Sequence, residues 1–592
     1  MLAIVFTIWF LLAWFLSDRI MARLFRLDRK VSCVLAAFLP LFILGPTANI
    51  FTAWLKLNDW SIIASLILSG AALLIIERFL RKEPVETITD SEAAGQKTLF
   101  WLLPAFVILL ANGFYLIFSA TTGANLTSPW DVLSPWLLPT VAILALMIIY
   151  VIYSSRSALA VLLMIIGFSL LVHSYLLVYQ NGFGGDRYRH LGSEQRLLQE
   201  LEYQPTLLTN NLWLKKIGPL KYPQALTDPA KLSYGTMWSL EVIAAKITGL
   251  PVFQINRFLL PILWSIFLSV IAFATAFLLR PDKKFALLTA LSANAFYLFQ
   301  YYGAQGLPAS YGLLWLAFYL LLAINYLKNP DNFKLLLLIG GAILLYFNYS
   351  LTFILAGIIL IAVLILNKKK ILLLPFLALS TAVLIGLDYL SSPVFNFSVA
   401  KILPAWSFAN LIDFQSLNRL VPLIGEWHLV DLLFMLAFIA VFAFMAFKAL
   451  KHQDKSWLLL ISLSLIILAA YLLSYLFLNG EHSLSRRLTL FAVLPLLFIF
   501  ADWLSGIMEN RKLVAAGAIV VSLLAVLSFY SGPALNVSIS NSDLAKAETI
   551  WQEIRGKQDY CVKENINVIL ALEYVSAKEF QETINNQNCA IR

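Results

Sequence analysis

The stretch GFGGDRYRHLGSEQ carries the densest set of reactive side chains in an otherwise apolar part of the chain. It contains Asp186, Arg187, Arg189, His190 and Glu194. A carboxylate beside a guanidinium stays ionised and can accept a proton from a hydroxyl group, and a histidine can tune that carboxylate or bind phosphate. Asp186, His190 and Glu194 are four residues apart, so in a helix they share one face. This pattern predicts a catalytic cluster, with a charged collar facing lipid headgroups as the alternative.

The same three side chains offer oxygen and nitrogen ligands for a metal ion. Asp186, His190 and Glu194 could hold a divalent cation such as Mg²⁺ or Mn²⁺, with histidine as the nitrogen ligand. Hard cations usually gather several carboxylates. The metal requirement is therefore left open at this point.

The composition places this cluster in a membrane protein. Of 592 residues, 60% are hydrophobic and 13% are charged, which is too little charge to cover a soluble protein of this size. We count about sixteen apolar stretches near the length that crosses a bilayer, and they predict an all-α integral membrane protein. These are 1–17, 31–56, 61–80, 98–120, 137–153, 159–179, 259–279, 285–302, 309–327, 335–347, 351–367, 371–390, 431–450, 457–478, 489–507 and 513–531, with 335–347 and 351–367 as possible halves of one broken helix.

Basic residues occupy every second loop between these stretches, which predicts sidedness by the positive-inside rule. The basic loops are 18–30, 81–97, the turn with Arg156, 280–284, 328–334, 368–370, 448–455 and 509–512. The pattern places the long loops 180–258 and 391–430, and the tail 533–592, outside a plasma membrane that the chain crosses many times. The net charge of +10 then comes mostly from the predicted cytoplasmic loops, where it can contact anionic lipid headgroups, and it requires no nucleic-acid partner.

Four regions follow from this topology. Residues 1–158 form a five-helix extension, 159–430 a central core with both long outer loops, 431–532 a further set of helices, and 533–592 a small outer module. In that module, SDLAKAETIWQEIRGKQ predicts a helix and NINVILALEYV a buried strand, hence an α/β fold. Cys561 and Cys589 lie in this tail, where an oxidising compartment would allow a disulfide.

The first long loop contains two further helical patterns. LGSEQRLLQELEY places leucines on one stripe and charges opposite, as in a helix lying on a membrane surface. YGTMWSLEVIAAKITGLP has apolar residues at helical spacing, and Gly249 and Pro251 end that helix before the next span. Together these helices predict a roof over the outer ends of the membrane helices.

The order of these features resembles the GT-C superfamily of membrane glycosyltransferases. The resemblance covers about residues 159–430: a membrane helix running into the acidic motif GGDRYRH, two juxtamembrane helices, six further membrane helices and a second outer loop. The chain departs from the family pattern in its five preceding helices and in having one clear Asp followed by Arg instead of a paired acidic motif.

The resemblance implies an inverting transfer of a sugar from a polyprenyl-phosphate carrier to a glycan, lipid or protein acceptor on the outer face. Asp186 would act as general base with His190 beside it, and cations would stabilise the leaving phosphate. The candidate substrate- or phosphate-binding residues are Arg187, Arg189, Glu194, Arg257, His482, Arg486, Arg487, Glu426 and His428. Glu426 and His428 belong to the second outer loop, where aromatic rings beside carboxylates suit sugar hydroxyls.

Three other readings stay open on the sequence alone. A lipid-linked glycan polymerase or ligase would also use outer arginines. A transporter would bury paired charges at mid-membrane, whereas here they gather at the outer ends. A non-catalytic scaffold for envelope glycans would use the additional helices and the tail as binding surfaces.

Overall fold

The computed structural model describes most of the chain in atomic detail. The described residues are 2–25, 27–54, 56–80, 96–126, 128–155, 157–201, 214–217, 220–223, 234–368, 372–391, 454–477, 485–510, 512–531, 538–555 and 564–577, with residues 443 and 562. At a few of these positions, Asp186 among them, only the backbone is described.

Helices make up nearly all of this part of the chain. In chain order they are α1 Leu2–Phe25, α2 Arg29–Ala36, α3 Phe38–Trp54, α4 Asp59–Leu80, α5 Gln96–Ser119, α6 Leu137–Ser154, α7 Ala158–Val172, α8 Gly185–Leu198, α9 Gly235–Thr248, α10 Val252–Leu279, α11 Lys283–Ser292, α12 Tyr297–Gly303, α13 Pro308–Lys328, α14 Asn332–Tyr346, α15 Ser350–Lys368, α16 Leu373–Ser391, α17 Lys455–Phe477, α18 Ser485–Met508, α19 Val514–Ser531, α20 Asn541–Ile554 and α21 Ile566–Ser576. Short 3₁₀ turns cover Pro129–Asp131, Tyr175–Val178 and Ala293–Ala295. Strands Leu214–Ile217 (β1) and Leu220–Pro223 (β2) pair antiparallel, with Leu214 opposite Pro223.

The prediction of an α-helical membrane protein is confirmed. Within the described residues, 11 helices are long and apolar enough to cross a bilayer. Helices occupy every predicted span except 431–450, which lies outside the described residues apart from one position, and the count of sixteen crossings stays a prediction. Segments 335–347 and 351–367 form two separate helices, α14 and α15.

The predicted continuous span 285–302 is instead interrupted near its middle. Helix α11 ends at Ser292, a 3₁₀ turn follows, and α12 begins at Tyr297. The turn's carbonyl groups find side-chain donors, because Gln300 donates to the carbonyl of Asn294 and Ser528 donates to that of Ala295 at 2.8 Å. An interrupted helix is tolerated at membrane depth only when such donors satisfy the released backbone groups, which hydropathy does not report.

Local capping signals fix several helix ends. Asp331 caps α14 by accepting hydrogen bonds from the backbone N–H groups of Phe333 and Lys334, and Ser157 caps α7 through Ala160 N–H. Helix α9 ends at Gly249, whose φ of 72° is left-handed, and Pro251 precedes α10, as the sequence predicted.

Contacts between loops agree with the alternating charge pattern. Salt bridges and a cation–π contact join loops that the pattern assigns to the basic side: Arg23–Glu77, Arg280–Glu509, Lys328–Asp454 and Lys284–Tyr153. On the other side, Lys246 of α9 contacts both Asp59 and Glu200. Which of these sides faces the cytoplasm stays a prediction.

The first helices pack directly into the centre of the molecule. The indole of Trp315 in α13 donates to the carbonyl of Phe42 in α3 at 3.0 Å, and the ring of Phe38 lies 4.9 Å from that of Phe267 in α10. Thr52 of α3 and Ser239 of α9 share a buried hydrogen bond of 2.8 Å. The boundary at residue 158 stays a prediction, and α3 contributes to the core around α9, α10 and α13.

The predicted strand NINVILALEYV is wrong, because this segment forms helix α21. The Asn565 side chain accepts a hydrogen bond from Val568 N–H, which starts the helix, and residues 568–572 are buried. A short apolar run that is buried on several sides has no periodic polar face, so its sequence is compatible with either a strand or a helix. Within its described residues the tail is therefore helical. Cys561 and Cys589 lie outside the described residues.

The alternation of sides predicts opposite chemical accessibility for two exposed loop residues. We expect Leu250→Cys, between α9 and α10, to react with a membrane-impermeant maleimide on intact cells, and Asn329→Cys, after α13, to react only after permeabilisation. The background carries serine at the native cysteines. Labelling of Asn329→Cys on intact cells would contradict the proposed orientation.

Candidate functional site

The motif GGDRYRH and the first part of LGSEQRLLQELEY form one continuous helix, α8. The sequence predicted that its charged face lies exposed, but Glu194 on that face is fully buried. The chain enters it through a tight turn in which Gly182 and Gly184 have φ values of 79° and 90°. Other residues adopt this left-handed region at a cost, so glycines suit both positions. Helix α8 then runs from Gly185 to Leu198, and the predicted shared face of Asp186, His190 and Glu194 follows from its backbone. The side chain of Asp186 lies outside the described residues.

Arg187 turns back from the first turn of α8 toward the glycines. A methyl group added to Gly182 would come within 2.9 Å of Arg187 Nη1, so the guanidinium lies against that residue. Arg187 is only 7% exposed, and its Nε and Nη2 atoms have no hydrogen-bond partner among the described residues. These two N–H groups form the side edge of the guanidinium, which binds an oxyanion through two parallel hydrogen bonds. Buried donors without partners are costly, which points to a missing acceptor.

A second unpartnered donor lies close to the same turn. Gln305, in the loop between α12 and α13, is buried, and its Oε1 lies 3.9 Å from the position of a Cβ on Gly184. Its Nε2 has no partner within the described part of the chain. The amino end of α8 adds backbone N–H groups and a partial positive charge. We refer to Gly182, Gly184, Arg187, Gln305 and the first turn of α8 as the anion cradle.

Arg257 lies beside the cradle but has a backbone partner. Its guanidinium carbon lies 5.8 Å from the ring centre of Phe253, and that of Arg187 lies 5.6 Å from the same ring. Arg257 donates to the carbonyl of Leu177 at 3.0 Å. The structure thus brings both predicted arginines to one aromatic ring, with Arg187 offering the open edge.

Glu194 meets an acidic partner that the sequence analysis missed. Both Glu194 and Glu241 of α9 have 0% exposure, and their carboxyl groups are within hydrogen-bond range of each other. Glu241 also accepts hydrogen bonds from Tyr311 at 2.9 Å and from Asn256 at 2.7 Å. The available signal was a single carboxylate in the apolar helix YGTMWSLEVIAAKITGLP, whose depth a sequence does not reveal.

Burial sets the charges of this pair. Desolvation raises the pKa of Glu194 well above its usual range, with the neighbouring Glu241 as the next cause. Burial also raises the pKa of Glu241, but hydrogen bonds from Asn256, Glu194 and Tyr311 act in the opposite direction. The raised pKa of Glu194 favours the protonated carboxyl, which can donate to Glu241, whereas two carboxylates would have only acceptors to offer each other.

Arg187 interacts with the acid pair electrostatically and not through a direct ion pair among the described side chains. Burial lowers the pKa of Arg187 to about 10, so its guanidinium stays charged at neutral pH. Both glutamates lie within electrostatic range of it, yet no carboxylate among the described side chains forms a salt bridge to its edge. The cradle therefore has a positive charge and donors that no acceptor among the described side chains occupies.

His190 faces α9 like Glu194 but has different neighbours. The indole of Trp238 donates to His190 Nδ1 at 3.2 Å, and the ring of Tyr234 lies edge-on at 5.2 Å. No group of three His, Cys, Asp or Glu residues with metal-site geometry occurs among the described side chains. Since the side chain of Asp186 is not among them, the proposed metal site of Asp186, His190 and Glu194 stays a prediction.

Arg487 reaches the same neighbourhood from the start of α18. It is exposed, donates to the Tyr349 hydroxyl at 3.0 Å, and lies within electrostatic range of Tyr234 and Tyr302. Because Tyr234 also contacts His190, Arg487 lies in the same neighbourhood as the start of α9 and the middle of α8. Its role in phosphate binding stays a prediction.

Arg189 points to the tail module. Its Nε lies 3.4 Å from a carboxylate oxygen of the buried Glu573 in α21. Its predicted role in phosphate binding stays a prediction. Arg486, His482, Glu426 and His428 have no described side chain, so their predicted roles fall outside the described residues.

Comparison with protein-family models, curated proteins and solved structures finds no match to this chain. The anion cradle and the acid pair are therefore the features of this chain that bear on its function.

The hydrogen bond between Glu194 and Glu241 predicts opposite effects of two isosteric substitutions on thermal stability. Glu194→Gln keeps a donor toward Glu241 and should leave the melting temperature unchanged or higher at pH 7. Glu241→Gln replaces one acceptor oxygen by an amide NH2 group, which then faces the donor of Asn256 or of Tyr311, and should destabilise the protein by about 3 kcal/mol. Thermal unfolding of the detergent-solubilised protein measures both, with the exposed Glu200→Gln as control.

The pH dependence follows from the raised pKa of Glu194. Above its ordinary pKa of 4.5, Glu194 is ionised in the unfolded chain but still protonated in the folded one, so folding must take up a proton. The free energy of unfolding is therefore largest below pH 4.5 and decreases as the pH rises toward the raised pKa. Glutamine needs no proton, so the melting temperature of Glu194→Gln relative to wild type should increase with pH above about 4.5. A difference in melting temperature that decreases with pH would contradict a protonated Glu194.

Proposed function

We propose that this chain is an integral membrane glycosyltransferase that takes a sugar from a polyprenyl-phosphate carrier and inverts the anomeric centre. The acceptor, a glycan, lipid or protein, binds at the extracytoplasmic face, and Asp186 removes its proton. The observation that carries the proposal is the buried open edge of Arg187 at the amino end of α8. This edge suits a phosphate oxygen in the leaving group.

The position of Asp186 supports its role as general base. It precedes Arg187 in the first turn of α8, so base and phosphate ligand start from the same helix end. In an inverting displacement the base acts on the nucleophile while the cation stabilises charge developing on the leaving oxygen. A single rigid helix would hold both groups at fixed positions relative to the sugar donor.

The surroundings of the cradle suit a lipid substrate. Helices α8 and α9 have 14 residues each, and α9 is followed in the chain by the long apolar helix α10. The guanidinium of Arg257 lies 5.6 Å from the ring centre of Phe258, an exposed residue of the membrane helix α10. A carrier phosphate could then reach Arg187 while its prenyl chain stays against apolar surface.

A phosphate-binding test examines the cradle without knowledge of the sugar. We expect the purified protein in lipid nanodiscs to bind farnesyl phosphate and not farnesol, measured by calorimetry. Arg187→Ala should weaken binding roughly a hundredfold, because a buried bidentate charge–phosphate contact is lost. Lys246→Gln, which removes a cation from a surface ion pair on α9, serves as the matched control.

The catalytic step requires a second measurement. Asp186→Asn should retain farnesyl phosphate binding and lose release of polyprenyl phosphate from a panel of polyprenyl-phosphate sugars incubated with host membranes. Release that persists in Asp186→Asn would overturn its role as base. Products extended by many repeating units would favour the polymerase alternative, and the absence of any release by the wild-type protein would overturn the transferase proposal.

A further inference from the structure

The tail contacts the outer face of α8 through a small hydrophobic core of its own. Tyr188 of α8 is buried in this core, which otherwise consists of residues from α20, α21 and the segment before them, among them Ile539 and Val568. The ring of Tyr574 lies edge-on to Tyr188 at 5.9 Å. Tyr188 thus anchors α8 in the tail, and its sequence neighbour Arg187 belongs to the anion cradle.

The tail also holds the chain just before the cradle. Asn181 Nδ2 donates to the carbonyl of Ile539 at 3.1 Å and to Asn541 Oδ1 at 2.8 Å. Phe183 forms an antiparallel bridge with Ser538. These contacts flank Gly182, the residue against which the Arg187 guanidinium lies.

A third contact lies one turn further along α8. Arg189 pairs with Glu573, whose side chain is 3% exposed. A Cβ added to Gly192 would come within 2.8 Å of the Glu573 carbonyl oxygen, so α8 and α21 approach with almost no space between them. Buried charges are expensive unless paired, so the contact with Arg189 stabilises Glu573 and joins α21 to α8.

We propose that the tail, residues 538–555 and 564–577, is a positioning clamp for α8, with Glu573 and Asn541 as positioning residues that act through Arg189 and Asn181. The clamp sets the backbone on both sides of Gly182 and thereby the direction of the Arg187 edge and the place of Asp186. This inference deepens the proposed function, since it rests on a phosphate site at the start of α8. Small displacements of groups that bind a reacting phosphate have large effects on rate and affinity.

Charge exchange across the clamp tests the pairing. Arg189→Glu and Glu573→Arg should each increase amide hydrogen exchange in residues 183–190 and weaken farnesyl phosphate binding roughly tenfold or more. The double variant carrying both changes should restore protection and bring affinity back within about threefold of wild type. Lys546→Glu, at an exposed ion pair with Glu564 inside the tail, is the control and should leave both readouts unchanged.

The possible outcomes separate the two proposals. If the double variant restores neither readout, Arg189 acts on the ligand or alone, and the clamp is overturned. If either single reversal leaves exchange in 183–190 unchanged, the clamp is likewise overturned. If the exchange pattern follows the clamp while the wild-type protein binds no farnesyl phosphate, the phosphate site fails and the clamp stands as a property of α8. Asn541→Ala, which removes a neutral contact, should reproduce the increased exchange without altering net charge.

Discussion

A buried positive charge whose hydrogen-bonding edge is unoccupied among the described side chains is the constraint around which the site is organised. In a low-dielectric interior, the guanidinium of Arg187 requires a counter-charge, yet a carboxylate bound directly to its edge would block any other anion. Among the described side chains, Glu194 and Glu241 act on Arg187 electrostatically without binding its edge. Burial raises the pKa of both acids, which reduces the negative charge that the pair carries at neutral pH.

Helix α8 is held in place by packing contacts on two of its faces. On its inner face it meets α9, whose Glu241 is tied to α10 through Asn256 and to α13 through Tyr311. On its outer face it meets the tail helices. A short surface helix has little intrinsic stability, so these packing contacts determine where its first turn lies. The same contacts align the glycine turn that lets the Arg187 side chain fold back.

Hydropathy and charge predicted the membrane helices well because both depend on the local sequence. The interruption between α11 and α12 escaped prediction, since it depends on side chains of Gln300 and Ser528 reaching carbonyl groups from other turns and helices. The tail strand was wrongly predicted because α21 is buried on several sides and has lost the polar face that identifies a helix. Both failures arise where packing, not periodicity, decides the backbone.

The sequence by itself determined that this is a multi-helix membrane protein, that GGDRYRH leads into a short helix, and that His190 and Glu194 share one face of it. These properties follow from spacing and composition within a few helical turns. Only the tertiary structure decided that Glu194 meets Glu241, that Arg187 keeps an open edge beside Gln305, and that Arg189 turns to Glu573. Such contacts join residues tens to hundreds of positions apart, and their energies depend on burial, which no local pattern records.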